Sequence, residues 1–148
     1  MEIVLNREVA KKVLDTVDVG LVHGIGDGTP GNLCVEAAVC YALGLPHGDD
    51  PKCVGSAVRG FKIRLNDSAW PTNASRTAGM RKLAIAQLGS DTIDQMAFSK
   101  FVAFESMKMI LPLVMRNAVK AGDKYELEIE AACVALETSP DFQSAVEA

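Results

Sequence analysis

Glu36 is the first candidate for a chemical role, because it is the single charged residue in the apolar run from Leu33 to Leu43. A carboxylate in an apolar helix is costly unless it is paired or protonated. Such groups occur in structural ion pairs and, with shifted pKa values, at catalytic sites. Its neighbours one turn away, Leu33 and Cys40, offer no partner, so another segment must supply one. The candidate partners are Arg59, Arg64 and His47.

A second cluster lies in the loop that follows this run. His47, Asp49 and Asp50 bring an imidazole and two carboxylates together, and such a set can bind a metal or move a proton. With Glu36, these three residues are the candidate catalytic residues of a small hydrolase or deaminase-like enzyme. The alternative is structural, because Asp50 before Pro51 is also typical of a helix start.

The triplet Cys34-Val35-Glu36 resembles the first half of the zinc deaminase signature, in which a metal ligand precedes a general acid–base by two residues. The second half, Pro-Cys-x-x-Cys, is incomplete. Lys52 separates Pro51 from Cys53, and Ser56 stands where the last thiolate is needed. The sequence therefore predicts no metal site and no cofactor.

A glycine-rich loop over residues 24–31 precedes the apolar run and contains four glycines. Glycines let backbone N–H groups converge, and a helix N-terminus adds positive potential, so a phosphate or carboxylate could bind there. The Gly-Lys-Ser/Thr ending of a P-loop is missing. The structural alternative is a tight loop that leads the chain into a crowded core. The candidate ligand-binding residues here are Gly26, Gly28, Thr29, Gly31 and Asn32.

Residues 59–82 carry six basic side chains against Asp67 alone, so this segment has a charge of +5. Such a segment could bind a small anion or the acidic face of another copy, and Trp70 could stack on an aromatic ligand. The alternatives are a solvated face and a tryptophan that anchors the link between two helices. The candidate binding residues here are Arg59, Arg64, Trp70, Arg76 and Arg81.

Length and composition favour one domain spanning residues 1–148, with 49% hydrophobic and 23% charged residues. The net charge of −4 argues against general nucleic-acid binding. No run is long and apolar enough for a membrane span, and the first residues lack the order of a secretory signal. The four cysteines fit buried thiols. We therefore expect a cytoplasmic protein without a membrane partner.

The spacing of apolar residues predicts an all-α fold of six or seven helices around a buried central helix over residues 33–43. Asn6 and Asn32 are expected as N-caps of the first two helices, and Asp50 with Pro51 as the start of the third. Pro112 is expected to kink or break a long helix.

The same spacing predicts which faces point inward. The third helix is expected to bury the stripe Val54, Val58, Phe61 and Leu65. The long helix around Pro112 is expected to bury Phe98, Phe101, Val102 and Met109.

Several strings in the middle of the chain carry a family resemblance. They are Cys34-Val-Glu-Ala-Ala-Val-Cys-Tyr-Ala-Leu-Gly44, His47-Gly-Asp-Asp-Pro51, Cys53-Val54, Phe61-Lys-Ile-Arg-Leu-Asn-Asp67, Trp70 and Arg81-Lys-Leu-Ala-Ile-Ala-Gln-Leu-Gly-Ser90. Over residues 24–90 the sequence resembles a family of uncharacterised bacterial and phage-associated proteins. The resemblance implies no activity, so no functional role is carried over to any residue.

Three hypotheses follow, in order of preference. The first is a small binding module that senses or sequesters an anionic, nucleotide-like ligand in the glycine loop and on the basic segment. The second is a structural or interaction protein that forms a homo-oligomer. The third is the enzyme built on Glu36 and His47.

Overall fold

A computed structural model describes residues 4–119 and 122–147. Within them the chain forms seven α-helices and no strand, so the all-α prediction is confirmed. The helices are α1 (Arg7–Asp18), α2 (Val35–Ala42), α3 (Ser56–Asn66), α4 (Asn73–Ala86), α5 (Gln95–Ala118), α6 (Glu126–Thr138) and α7 (Phe142–Glu147). None of the described helices is long and apolar enough to cross a membrane.

The chain divides into two compact units, the first ending at Gln95 and the second beginning at Met96. The first contains α1 to α4, and nearly all of α5 belongs to the second with α6 and α7. The expectation of one domain over residues 1–148 stays a prediction.

The first unit begins with the helix that its cap predicts. The Asn6 side chain accepts hydrogen bonds from the backbone N–H groups of Glu8 and Val9, both at 3.0 Å. These bonds satisfy two donors that have no partner within the helix. Val13 and Val17 of α1 are fully buried and pack into the core of the unit.

Helix α2 is the inner helix of the first unit, as predicted, and packs against α1, α3 and α4. Six of its eight residues are buried, Glu36 among them. It begins at Val35 rather than Leu33, and Cys34 rather than Asn32 is the N-cap. The reason is that Leu33 forms isolated β-bridges with Leu21 and Gly26, which keep the chain extended before the helix.

Helix α3 begins later than predicted. Gly55 is its N-cap, while Asp50 and Pro51 lie in the preceding loop. The loop is held by tertiary contacts instead: the Gly55 N–H donates to the Ser90 hydroxyl, and the Cys53 carbonyl accepts from Gly89. A Cβ at Gly55 would meet the Gln95 amide, so this side chain would have to move to admit it.

The buried face of α3 also differs from the prediction. Val58 is buried as expected, but its buried companions are Lys62 and Asn66, whereas Phe61 is exposed. These three positions are four residues apart and form one face of a helix. Two polar side chains therefore point into the core where an apolar stripe was expected.

In the second unit, α5 runs through Pro112 as one helix. The predicted break is therefore wrong, and the alternative of a kink stays a prediction. Pro112 is buried, and its carbonyl accepts a hydrogen bond from the Cys133 thiol of α6 at 3.7 Å. Arg116 joins the same two helices through Glu130 and Glu137.

Candidate functional site

The glycine loop uses its backbone donors within the protein. Gly24 donates to the Asp67 carboxylate at 2.8 Å, and Asn32 donates to the Thr29 carbonyl at 2.9 Å. The Asp27 carboxylate accepts from both the backbone and the hydroxyl of Thr29. The Thr29 hydroxyl is the main cause that lowers the pKa of Asp27 to about 2. The glycine loop thus contains the Asp27 carboxylate where the sequence predicts that a ligand anion binds.

Backbone N–H groups at the N-terminus of α2 likewise donate to side chains of the protein. The Val35 N–H donates to the Asn66 side chain at 3.2 Å, and the Ala37 N–H to the Cys34 sulfur at 3.3 Å. Asn66 is fully buried and also donates to the Val22 carbonyl at 2.9 Å. Sequence reasoning missed Asn66, since an asparagine at a helix end signals only a turn.

Three of the four candidate arginines have partners inside the first unit. Arg59 pairs with Asp50 at 2.7 Å, and Arg81 binds Asp18 through two hydrogen bonds of 2.6 and 2.9 Å. Arg76 is buried and donates to the Asn66 carbonyl at 2.8 Å. Arg64 is exposed. Much of the positive charge of residues 59–82 is therefore neutralised locally.

Trp70 anchors the link between α3 and α4. Its indole N–H donates to the Leu65 carbonyl at 2.8 Å, and its ring lies so close to Gly79 that a Cβ there would overlap it. Gly60, the glycine within α3, is exposed and faces open space. The close approach to a helical glycine occurs at Gly79 instead.

A groove of about 540 Å³ lies between the end of α1, the glycine loop and α4. Of the candidate ligand-binding residues, Gly31 and Arg81 line it, while Gly26, Gly28, Thr29, Asn32, Arg59, Arg64, Trp70 and Arg76 do not. The structure thus brings two of the ten candidates together in one concavity. Ligand binding there stays a prediction.

Glu36 is fully buried, and its charged partner is Lys62, which is 2% exposed. The Lys62 ammonium lies 3.5 Å from Glu36 Oε1. The expected pairing with Arg59, Arg64 or His47 is wrong, because α3 turns Lys62 toward α2. Burial raises the pKa of Glu36 to about 7 although Lys62 lowers it, and burial lowers the pKa of Lys62 to about 8.

Gln87, at the end of α4, is buried and lies near Glu36. Both carboxylate oxygens of Glu36, the Lys62 ammonium and the Gln87 carbonyl oxygen lack a hydrogen-bond partner within the described protein. Since buried polar groups are nearly always hydrogen-bonded, this cluster is unusual. Glu36, Lys62 and Gln87 are called the buried polar cluster below.

The other catalytic candidates lie at the surface. His47 is exposed, and a Cβ on Gly28 would lie 3.4 Å from its ring. Asp50 binds Lys52 and Arg59, and the hydrogen bond from Lys52 is the main cause that lowers its pKa. Asp49 is half-buried. No group of three metal-ligating side chains occurs among the described residues.

The most unusual surface is on α5, and sequence reasoning missed it. Phe101 and Met109 were expected to point inward, yet they are 61% and 66% exposed. The segment from Met107 to Met115 is apolar on every side of the helix, with Lys108 as its single charge. Periodicity selects no inward face in such a segment. The α5 apolar surface is defined here as Phe101, Met109, Ile110, Leu111, Leu113 and Val114.

Comparisons of this chain with protein-family models, curated proteins and solved structures find no match. The resemblance to bacterial and phage-associated proteins therefore stays a prediction.

Proposed function

We propose that this protein is an interaction protein that self-associates, and that the α5 apolar surface is the interface between two copies. The observation that carries the proposal is the exposure of α5. A helix that is apolar on all sides is normally buried in a core or a membrane. No described helix can cross a membrane, and the six side chains of the surface are between 41% and 66% exposed.

The small core of the second unit supports the proposal. Its buried apolar residues within the described range are Pro112, Cys133, Leu136 and Ala145. A unit of roughly 50 residues buries a smaller fraction of its surface than a larger domain does, and it commonly needs oligomerisation or another support to be stable. Burying α5 against a second copy supplies the missing core.

Leu127 and Val134 of α6 are further exposed apolar side chains of the second unit. A two-fold interface presents the same patch from both copies, so apolar surface meets apolar surface.

The charges of the second unit are complementary between copies. Residues 123–147 carry seven acidic side chains against Lys124. Helix α5 adds Lys100 and Lys108, which lie outside its ion pairs with α6. Cations of one copy at the rim of the interface would therefore meet the excess anions of the other, which fixes orientation more than affinity.

The test measures mass in solution by light scattering coupled to size-exclusion chromatography. We expect the wild type to exceed the 15.8 kDa of one chain and to dissociate on dilution. Leu113→Glu should raise the dissociation constant at least 100-fold, because it places an unpaired carboxylate in an apolar interface. Val4→Glu is the matched control, since Val4 is 69% exposed, against 59% for Leu113, but lies in the first unit.

A wild type that stays at the mass of one chain at tens of micromolar contradicts the proposal. So does a Leu113→Glu variant that keeps the wild-type mass.

A further inference from the structure

The buried polar cluster joins three helices of the first unit, with Glu36 on α2, Lys62 on α3 and Gln87 at the end of α4. Each of the three side chains is at least 98% buried. Four of their polar atoms have no hydrogen-bond partner in the described protein. The cluster is independent of the α5 apolar surface, which belongs to the second unit.

The hydrogen-bonding chemistry of the four atoms defines what can bind among them. The two Glu36 oxygens and the Gln87 oxygen accept hydrogen bonds, while the Lys62 ammonium donates them. A guest must therefore donate to oxygens and accept from an ammonium at the same time. An anion has nothing to donate to three acceptor oxygens, so its binding is disfavoured.

We infer that the buried polar cluster is a binding site for internal water, which bridges Lys62 to Glu36 and Gln87. Water supplies two donors and two acceptors, and buried waters typically make about three hydrogen bonds to polar groups that lack protein partners. The 3.5 Å between the Lys62 ammonium and Glu36 Oε1 places the two charges side by side, where one water can contact both.

Water at this site also accounts for a charged pair in the core. An ion pair removed from bulk water is stable only when its remaining donors and acceptors are satisfied. The bridge would hold α2, α3 and α4 in one mutual arrangement.

The decisive experiment is a crystal structure of the wild-type chain at a resolution of about 1.5 Å or better, where ordered water is visible. We expect a water within hydrogen-bond distance of the Lys62 ammonium and of at least one oxygen of Glu36 or Gln87. Direct bonds among the three side chains with no water between them would overturn the inference. Crystals grown in bromide test for an anion, and an anomalous peak at the cluster would overturn it equally.

A second measurement in solution uses NMR cross-relaxation between water and the side chains of the cluster. The wild type should show a long-lived water contact that the double variant Glu36→Leu with Lys62→Met loses. Lys82→Met is the matched control, because Lys82 is exposed on α4, and it should keep the contact. A contact that survives in the double variant would contradict the assignment.

Discussion

The two units of this chain differ in which side chains they bury. The first unit buries polar side chains deeply: Glu36, Lys62, Asn66 and Arg76 all lie in or beside its core. The second leaves large apolar side chains of α5 exposed and buries few. The first unit is therefore stabilised from within its own chain, whereas we propose that the second depends on association. Trp70, the single tryptophan, lies in the first unit and reports on its unfolding alone.

Replacing Lys62 is expected to destabilise the first unit more than the other substitutions do. Lys62→Met should lower its free energy of unfolding by about 3–5 kcal/mol, because Glu36 loses its buried counter-charge. Adding Glu36→Leu should restore most of this loss, since no charge is then left buried. The measurement is urea unfolding followed by Trp70 fluorescence, with Lys82→Met as the exposed control. Equal losses in the single and double variants would show that the pair contributes through packing alone.

The stability of the first unit should also depend on pH, because its buried ion pair has shifted pKa values. Burial raises the pKa of Glu36 from 4.5 to about 7, so the folded state binds the proton more tightly and stability falls as pH rises across that window. The pKa of Lys62 is lowered from 10.5 to about 8, so stability recovers as pH rises between those values.

The first unit should therefore be least stable between pH 7 and 8 and should gain roughly 3 kcal/mol toward pH 4.5 and again toward pH 10.5. Unfolding curves at several pH values measure this, and the Glu36→Leu, Lys62→Met double variant should lack the minimum. A minimum that persists in the double variant would assign it to other groups.

A smaller effect is expected at Asn66. Asn66→Ala removes the acceptor for the Val35 N–H and the donor to the Val22 carbonyl, leaving both without these bonds. The free energy of unfolding should fall by about 1–3 kcal/mol, the usual result of leaving buried groups unpaired. Asn117→Ala is the control, because Asn117 is exposed and donates only to its own helix at Leu113. The oligomeric mass should stay unchanged in both variants.

The sequence predicts a helix start correctly where a nearby capping residue marks it. Asn6 caps α1 through bonds from backbone N–H groups two and three residues away, so short-range chemistry was enough to predict it. The apolar composition of α2 likewise predicted an inner helix. The starts of α2 and α3 were missed, because they are set by long-range pairs such as Leu21 with Leu33 and Gly55 with Ser90.

Tertiary structure alone decided the partner of Glu36 and the exposure of α5. Lys62 and Arg59 are both basic residues on α3, and only the rotation of that helix against α2 turned Lys62 inward. A helix that is apolar on every side has no periodicity to mark its buried face. Spacing along the chain fixes which residues share a helix face, whereas the packing of separate segments fixes which face is buried and which charge meets which.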